Sequence, residues 1–231
     1  CVRPLMRDPS CLAAMRPFTD ITPLLGAFKQ RSKHRESLVR EFGLDPSAPI
    51  LLTVAMMRGG DKLESYRVLG EALARLVDVP WRLVVVGDGD SRDAVEYALS
   101  SVEPDRVRFA GAQSPSDLCR FYGGSDLMAW PAIREAYGMA MLEAQAAGLP
   151  VVAGDVGGVS DIVRDGQTGM LTPAGDAAAF AQALRALIGN PARRSAFGAE
   201  ARRITAEQHS ITVAAERLND MMMGVIGENV S

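Results

Sequence analysis

The sequence predicts an α/β protein: a single parallel sheet of about six strands with helices on both faces. Short apolar runs at 50–55, 82–86, 107–110, 126–130, 149–153 and 169–172 are separated by amphipathic stretches, a β-α-β-α alternation. Those runs are apolar nearly throughout instead of alternating, the pattern of strands buried on both faces. With 231 residues, 48% of them apolar, the chain can close one large core.

Helices are predicted after each run in turn, at 63–76, 94–99, 115–122, 138–147, 158–164 and 176–189. Gly189-Asn190 stops the last of these and Pro191 suits a first helical position. Residues 191–225 then read as two helices with no strand between them. Ahead of the sheet, residues 24–42 read as one amphipathic helix with Lys29, Arg31, Lys33, Arg35 and Arg40 outward, ended at Gly43 to Pro46. No strand is read before Ile50, and there is no internal repeat or low-complexity tract.

A formal net charge of -3 provides no field for collecting nucleic acid, so a small-molecule partner is expected. Cys1, Cys11 and Cys119 are odd in number and lack metal-type spacing, which points to neither disulfides nor a metal site and fits a reducing cytoplasm. No run approaches the roughly 18 to 20 apolar residues of a membrane span. The basic stretch 29–40 leaves open a peripheral contact with the inner face of a membrane, a solvated face being the simpler reading.

In an open parallel sheet the ligand crevice lies beyond the carboxyl ends of the strands. The predicted strands are followed there by Arg58-Gly-Gly-Asp-Lys62, Gly87-Asp88-Gly89, Gly111-Ala-Gln113, the segment 131–138, and Gly154-Asp-Val-Gly157-Gly158. Singly, each is a turn or a solvated charge. Five on one edge point to a site. Gly138 opens a helix whose first amides can donate to a phosphate, helped by the helix dipole. Glu135, just before it, can accept from sugar hydroxyls, and Glu143 lies a turn and a half inside. The structural alternative for Glu135 is a helix-dipole carboxylate worth about 0.3 to 1 kcal/mol. For Glu143 it is a solvated charge, although Met139, Leu142, Ala146 and Ala147 make that helix apolar on most sides.

Other signals carry less. Gly87-Asp-Gly-Asp-Ser-Arg92 lacks the third glycine of a dinucleotide fingerprint and follows the second strand, and no Walker lysine motif occurs. His34 and His209 have no catalytic companion nearby in sequence, and Met221-Met222-Met223 reads as helix packing.

Taken together, residues 48–205 resemble the nucleotide-binding half of the retaining glycosyltransferases of family 4, which have the GT-B architecture. The likeness rests on the E-x7-E spacing of Glu135 and Glu143, the Leu142-Glu143-Ala144 run, Gly148-Leu-Pro150-Val-Val, Val156-Gly157-Gly158, Val107-Arg-Phe-Ala-Gly111 and Asp165-Gly-Gln-Thr-Gly169. It implies a Rossmann-like domain forming the carboxyl-terminal half of a GT-B fold. It further implies that Glu135, the catalytic candidate, holds the donor sugar and that Glu143 holds the ribose hydroxyls. Arg58 and Lys62 would neutralise the diphosphate, with the Gly138 and Met139 backbone completing the phosphate site and Gly87 in the donor-binding set. A UDP- or GDP-sugar is then the substrate, with no metal or other cofactor, and the acceptor is a glycan, a lipid or a small molecule.

The sequence departs from the family pattern in places. Met56-Met57 occupy the expected arginine position, Asp161 stands where relatives carry glutamate, and Ser160 where many carry proline. Only one Rossmann-like domain is legible. The expected organisation is therefore a connector with an amphipathic helix at 1–47 (Met15 to Asp20 resembling an interdomain segment), a donor-binding domain at 48–190, and helices at 191–231 packing toward an absent amino-terminal domain. On that reading the chain is a fragment, inactive alone. The alternative is a non-catalytic nucleotide or nucleotide-sugar binding module, or one subunit of a split enzyme.

Overall fold

The computed structural model describes residues 14–228, with side chains through residue 223; Cys1 and Cys11 lie outside that range. Six strands form: β1 (Ile50–Val54), β2 (Arg82–Val86), β3 (Val107–Gly111), β4 (Leu127–Trp130), β5 (Val151–Gly154) and β6 (Gly169–Thr172). They make one sheet in the order β3-β2-β1-β4-β5-β6, every pairing parallel. The apolar runs explain their own placement. Leu51 and Leu52 of β1 sit in register with Leu83 and Val84 on one side and Leu127 and Met128 on the other, all buried.

The helices are α1 (Thr22–Lys29), α2 (Arg31–Phe42), α3 (Asp61–Leu73), α4 (Arg92–Ala98), α5 (Pro115–Gly124), α6 (Met139–Ala146), α7 (Ala177–Ile188), α8 (Pro191–Gln208) and α9 (Ile211–Glu228). One group packs α3 against α4 and α7; another packs α1 and α2 on α5, with α6 against α1 and α8. Capping follows the sequence: Ser114, Asp176 and Asn190 each accept a backbone amide from the first turn of α5, α7 and α8. The strand order reverses between β1 and β4, so a crevice opens past their carboxyl ends.

Three expectations need correction. Residues 24–42 are two helices, because at Gln30 the backbone leaves helical geometry and its amide bonds to Ala27 in a tighter turn. The break redirects α2, and two of its basic residues turn inward: Arg31 and Arg35 reach Asp126 at 2.7 and 2.5 Å. At 158–164 only a 3₁₀ turn forms, Val159–Asp161, since the chain buries Ile162 and Val163 and must return at once into β6.

The stretch ahead of α1 is tied to the turn between α8 and α9. Thr19 donates to the His209 carbonyl at 2.9 Å and accepts from Ile211 at 3.0 Å, while His209 Nδ1 lies 2.8 Å from the Pro17 carbonyl. Among the described residues no helix is long and apolar enough to cross a membrane, and no group of three His, Cys, Asp or Glu side chains could hold a metal. Cys119 is a half-buried free thiol.

Candidate functional site

The crevice is built first from backbone. Beyond β1, Ala55 donates to Val86, Met57 donates to Asp88, and Ser91 donates to Met57, stitching the loops after β1 and β2 together. Gly87 permits this: with φ at 137° its missing Cβ would stand 1.9 Å from the Ala55 carbonyl oxygen. The chain then turns into α3, with Lys62 in the first helical turn.

Lys62 comes from beyond β1 and Glu135 from beyond β4, 73 residues apart, and they meet at the reversal point of the sheet. The ammonium lies 2.5 Å from Glu135 Oε2, each side chain 17% exposed. Trp130, the last residue of β4, donates its indole N–H to the same oxygen at 3.3 Å, and Lys62 lies 5.2 Å from the centre of its ring. Arg58 is exposed on the intervening loop and has no carboxylate partner among the described residues.

The loop carrying Glu135 is strained and held in place. Ala132 and Arg134 both have positive φ, 55° and 52°, each costing on the order of 1–2 kcal/mol for a residue with a side chain. Compensation comes from Ser65 of α3, which accepts the Ile133 amide at 3.0 Å while donating to the Asp61 carbonyl at 2.8 Å. From the other side Gly158 donates to the Ala136 carbonyl at 2.7 Å. Gly138 then starts α6 at φ 80°, where a Cβ would strike the Met141 methyl at 2.0 Å. Its carbonyl takes the Met141 amide, whereas the amides of Met139 and Ala140 precede any intrahelical acceptor.

Glu143 is placed differently. It accepts the Tyr122 hydroxyl at 2.7 Å and faces a cavity of about 210 Å³ lined also by Asp20, Leu118 and Cys119. Burial pushes its carboxyl above the usual glutamate range, and the Tyr122 bond opposes this. Burial likewise raises the Tyr122 hydroxyl and the Cys119 thiol, with the Glu143 charge adding to both. Leu118 also lines a second cavity of about 340 Å³ beyond the ends of β1 to β3, with Gly87, Asp88 and Gln113. Both glutamates therefore lie on the carboxyl edge of the sheet, but different partners hold them.

Trp130, Ser65 and Tyr122 are the site residues that sequence reasoning missed. Trp130 had a signal, since it closes a strand on the ligand edge. Tyr122 had none, because only the tertiary fold brings it to a carboxylate 21 positions away.

Residues 35–204 match the protein family described as "Glycosyl transferases group 1". A D-inositol 3-phosphate glycosyltransferase of Rhodococcus opacus is 35% identical over 211 residues, covering 87% of this chain and 46% of the relative. Its counterpart in Salinispora arenicola is 31% identical over 97% of this chain and 51% of the relative. The chain spans about half the length of the curated relatives it matches. Among solved structures, a glycosyltransferase from Rickettsia africae superposes with a TM-score of 0.84 at 20% identity, covering 95% of this chain and 58% of that one. An Anabaena protein, Alr3699/HepE, in complex with UDP and glucose, gives 0.79 at 19% identity, covering 94% and 58%. These likenesses establish a shared fold.

Proposed function

The chain belongs to the group 1 glycosyl transferase family, and from that premise we propose that it is the donor-binding half of a retaining, family 4, GT-B glycosyltransferase using a nucleoside-diphosphate sugar. The observation that carries this is the Lys62–Glu135 pair at the sheet reversal point, beside the free amides that open α6. A cation, a carboxylate and two backbone donors gathered there suit a sugar diphosphate.

In this reading Lys62, Arg58 and the Met139 and Ala140 amides receive the diphosphate. As the glycosidic bond breaks, negative charge grows on that leaving group, and fixed donors stabilise it. Glu135, with one oxygen already held by Trp130 and Lys62, fixes the hydroxyls of the donor sugar against that centre. Glu143 Oε1 takes the ribose hydroxyls while Oε2 keeps Tyr122. The base enters the neighbouring cavity near Gly87 and Gln113. Residues 48–190 carry the donor site, and the acceptor side belongs to the remaining length of the relatives, against which α8 and α9 would lie. Three cysteines without a pairing pattern support a cytoplasmic setting.

Calorimetry with UDP, GDP and ADP tests the reading. The chain is expected to bind one of them weakly and to transfer no sugar alone; no heat with any of the three would overturn the site. UDP is the first choice, given the ligand of the Anabaena protein, and inositol phosphate the first acceptor to try once the second half is supplied.

A further inference from the structure

At the opposite edge of the sheet, before the amino ends of β4 and β5, lies a cavity of about 320 Å³ floored by Asp126 and Pro150 and walled by the first turns of α8. Its volume falls within the usual range for small-molecule sites, about 300–1,000 Å³. Three guanidiniums line it, those of Arg31, Arg194 and Arg202, against one carboxylate. That carboxylate is already spent: Asp126 takes Arg31 on one oxygen, and Arg35 and the Ile50 amide on the other.

The arginines retain unused donors. Arg194 gives one nitrogen to the Leu187 and Ile188 carbonyls at the end of α7, at 2.5 and 2.7 Å, leaving the rest of its fork. Arg202 sits over Phe28, its guanidinium carbon 3.5 Å from the ring centre, and has no hydrogen-bond acceptor among the described residues. Burial first, then the charge of Arg31, weakens the protonated form of Arg202; Arg194 is shifted the same way by burial, with Asp126 opposing and Arg31 and Arg35 reinforcing. Like charges gathered in a partly dry recess cost stability. An anion would relieve that cost, and planar forks match phosphate oxygens in pairs. The amino end of α8, an 18-residue helix capped by Asn190, adds positive potential from the same wall, where Ser195 offers a hydroxyl.

We propose that this cavity is a second ligand site, separate from the donor crevice, that takes a small soluble phosphate-bearing anion. The inference does not rest on the donor reading.

Inorganic phosphate and pyrophosphate titrated into the chain by calorimetry test it, with the double variant Arg58→Ala/Lys62→Ala emptying the other crevice of cations. Pyrophosphate is expected to keep binding the double variant, from which the donor crevice's share has been removed, and the Arg202 variants are compared in that background. Arg202→Met keeps the stem on Phe28 and should weaken it by about tenfold or more, the scale of losing a charged hydrogen bond. Arg202→Lys keeps both charge and stem and should still lose affinity, because a point charge cannot chelate; it serves if the Met variant does not fold. Absence of binding by both anions, affinity unchanged in folded Arg202 variants, or binding abolished by the Arg58/Lys62 change would overturn the proposal. So would binding to phosphatidylglycerol vesicles that needs Arg202 while pyrophosphate does not bind, since the arginines would then serve a membrane surface.

Discussion

Glu135→Gln should tighten the bare nucleotide and loosen the nucleotide sugar. In the structure Lys62 is engaged by Glu135 at 2.5 Å, and both side chains are 17% exposed. A diphosphate arriving at Lys62 must share or break that bond and meets the carboxylate charge nearby. The pair stands between exposed pairs, at about 0.2–1 kcal/mol, and buried ones, at about 3–5, and its mostly covered but not sealed position favours a value of about 1 kcal/mol. Releasing Lys62 by neutralising its partner should therefore tighten UDP about fivefold. For the nucleotide sugar the same substitution also removes a charged hydrogen bond to a sugar hydroxyl, about 1.5–3 kcal/mol. The net is a loss of about 0.5–2 kcal/mol, roughly 2- to 30-fold. Calorimetry with whichever nucleotide binds and its hexose conjugate reads both numbers, and Lys62→Met provides the control, expected to weaken both ligands. Equal weakening of the two by Glu135→Gln, or no change in bare-nucleotide affinity in a folded variant, would refute the reasoning, because the pair would then not lie in the diphosphate's path.

Glu143→Gln should weaken nucleotide binding by about 1–3 kcal/mol, with unchanged affinity in a folded variant sinking the ribose role. The same variant should be more stable than the parent at neutral pH. Burial raises the folded carboxyl above its unfolded value, so the wild-type fold gains stability from Glu143 only below the ordinary glutamate range and loses it as pH rises through the raised value. Urea titrations at neutral and acid pH should show the difference shrinking on acidification. Gly87→Ala should lower stability by several kcal/mol, on the order of 3 or more, since a 1.9 Å approach to a carbonyl adds to a backbone angle that alanine avoids; a thermal melt unchanged from wild type would refute the close approach. His209 is held below the usual histidine range chiefly by burial, so stability is intact above about pH 6.5 and falls as pH drops below it. His209→Gln should flatten that acid loss, and hydrogen exchange at the Thr19 and Ile211 amides should report it first.

Much of the fold was legible because each strand declares itself locally. Apolar runs such as 82–86 and 151–154 need burial on both faces whatever surrounds them, and Gly189-Asn190 and Pro191 mark one helix's stop and the next one's start by chemistry confined to a few residues. Where local preference was weak, neighbours decided. Residues 24–42 carry a helical pattern throughout, and the break at Gln30 exists where α2 turns Arg31 and Arg35 onto Asp126, about 90 positions away. The basic face that reads as solvated is for that reason partly an internal ion network.

The sequence by itself determined which edge of the sheet carries the unusual residues, since strand ends and the glycines and charges after them are neighbours along the chain. It also placed Glu135 before a helix start and Glu143 within that helix. Which side chains meet was decided only by tertiary structure. The reversal of strand order sets Lys62 against Glu135, the fold brings Tyr122 of α5 to Glu143 of α6, and α8 packing on α6 brings Arg194 and Arg202 to Arg31 of α2 at the far edge. Local periodicity encodes burial and direction at short range, whereas charge pairing depends on distances in space between elements far apart in sequence.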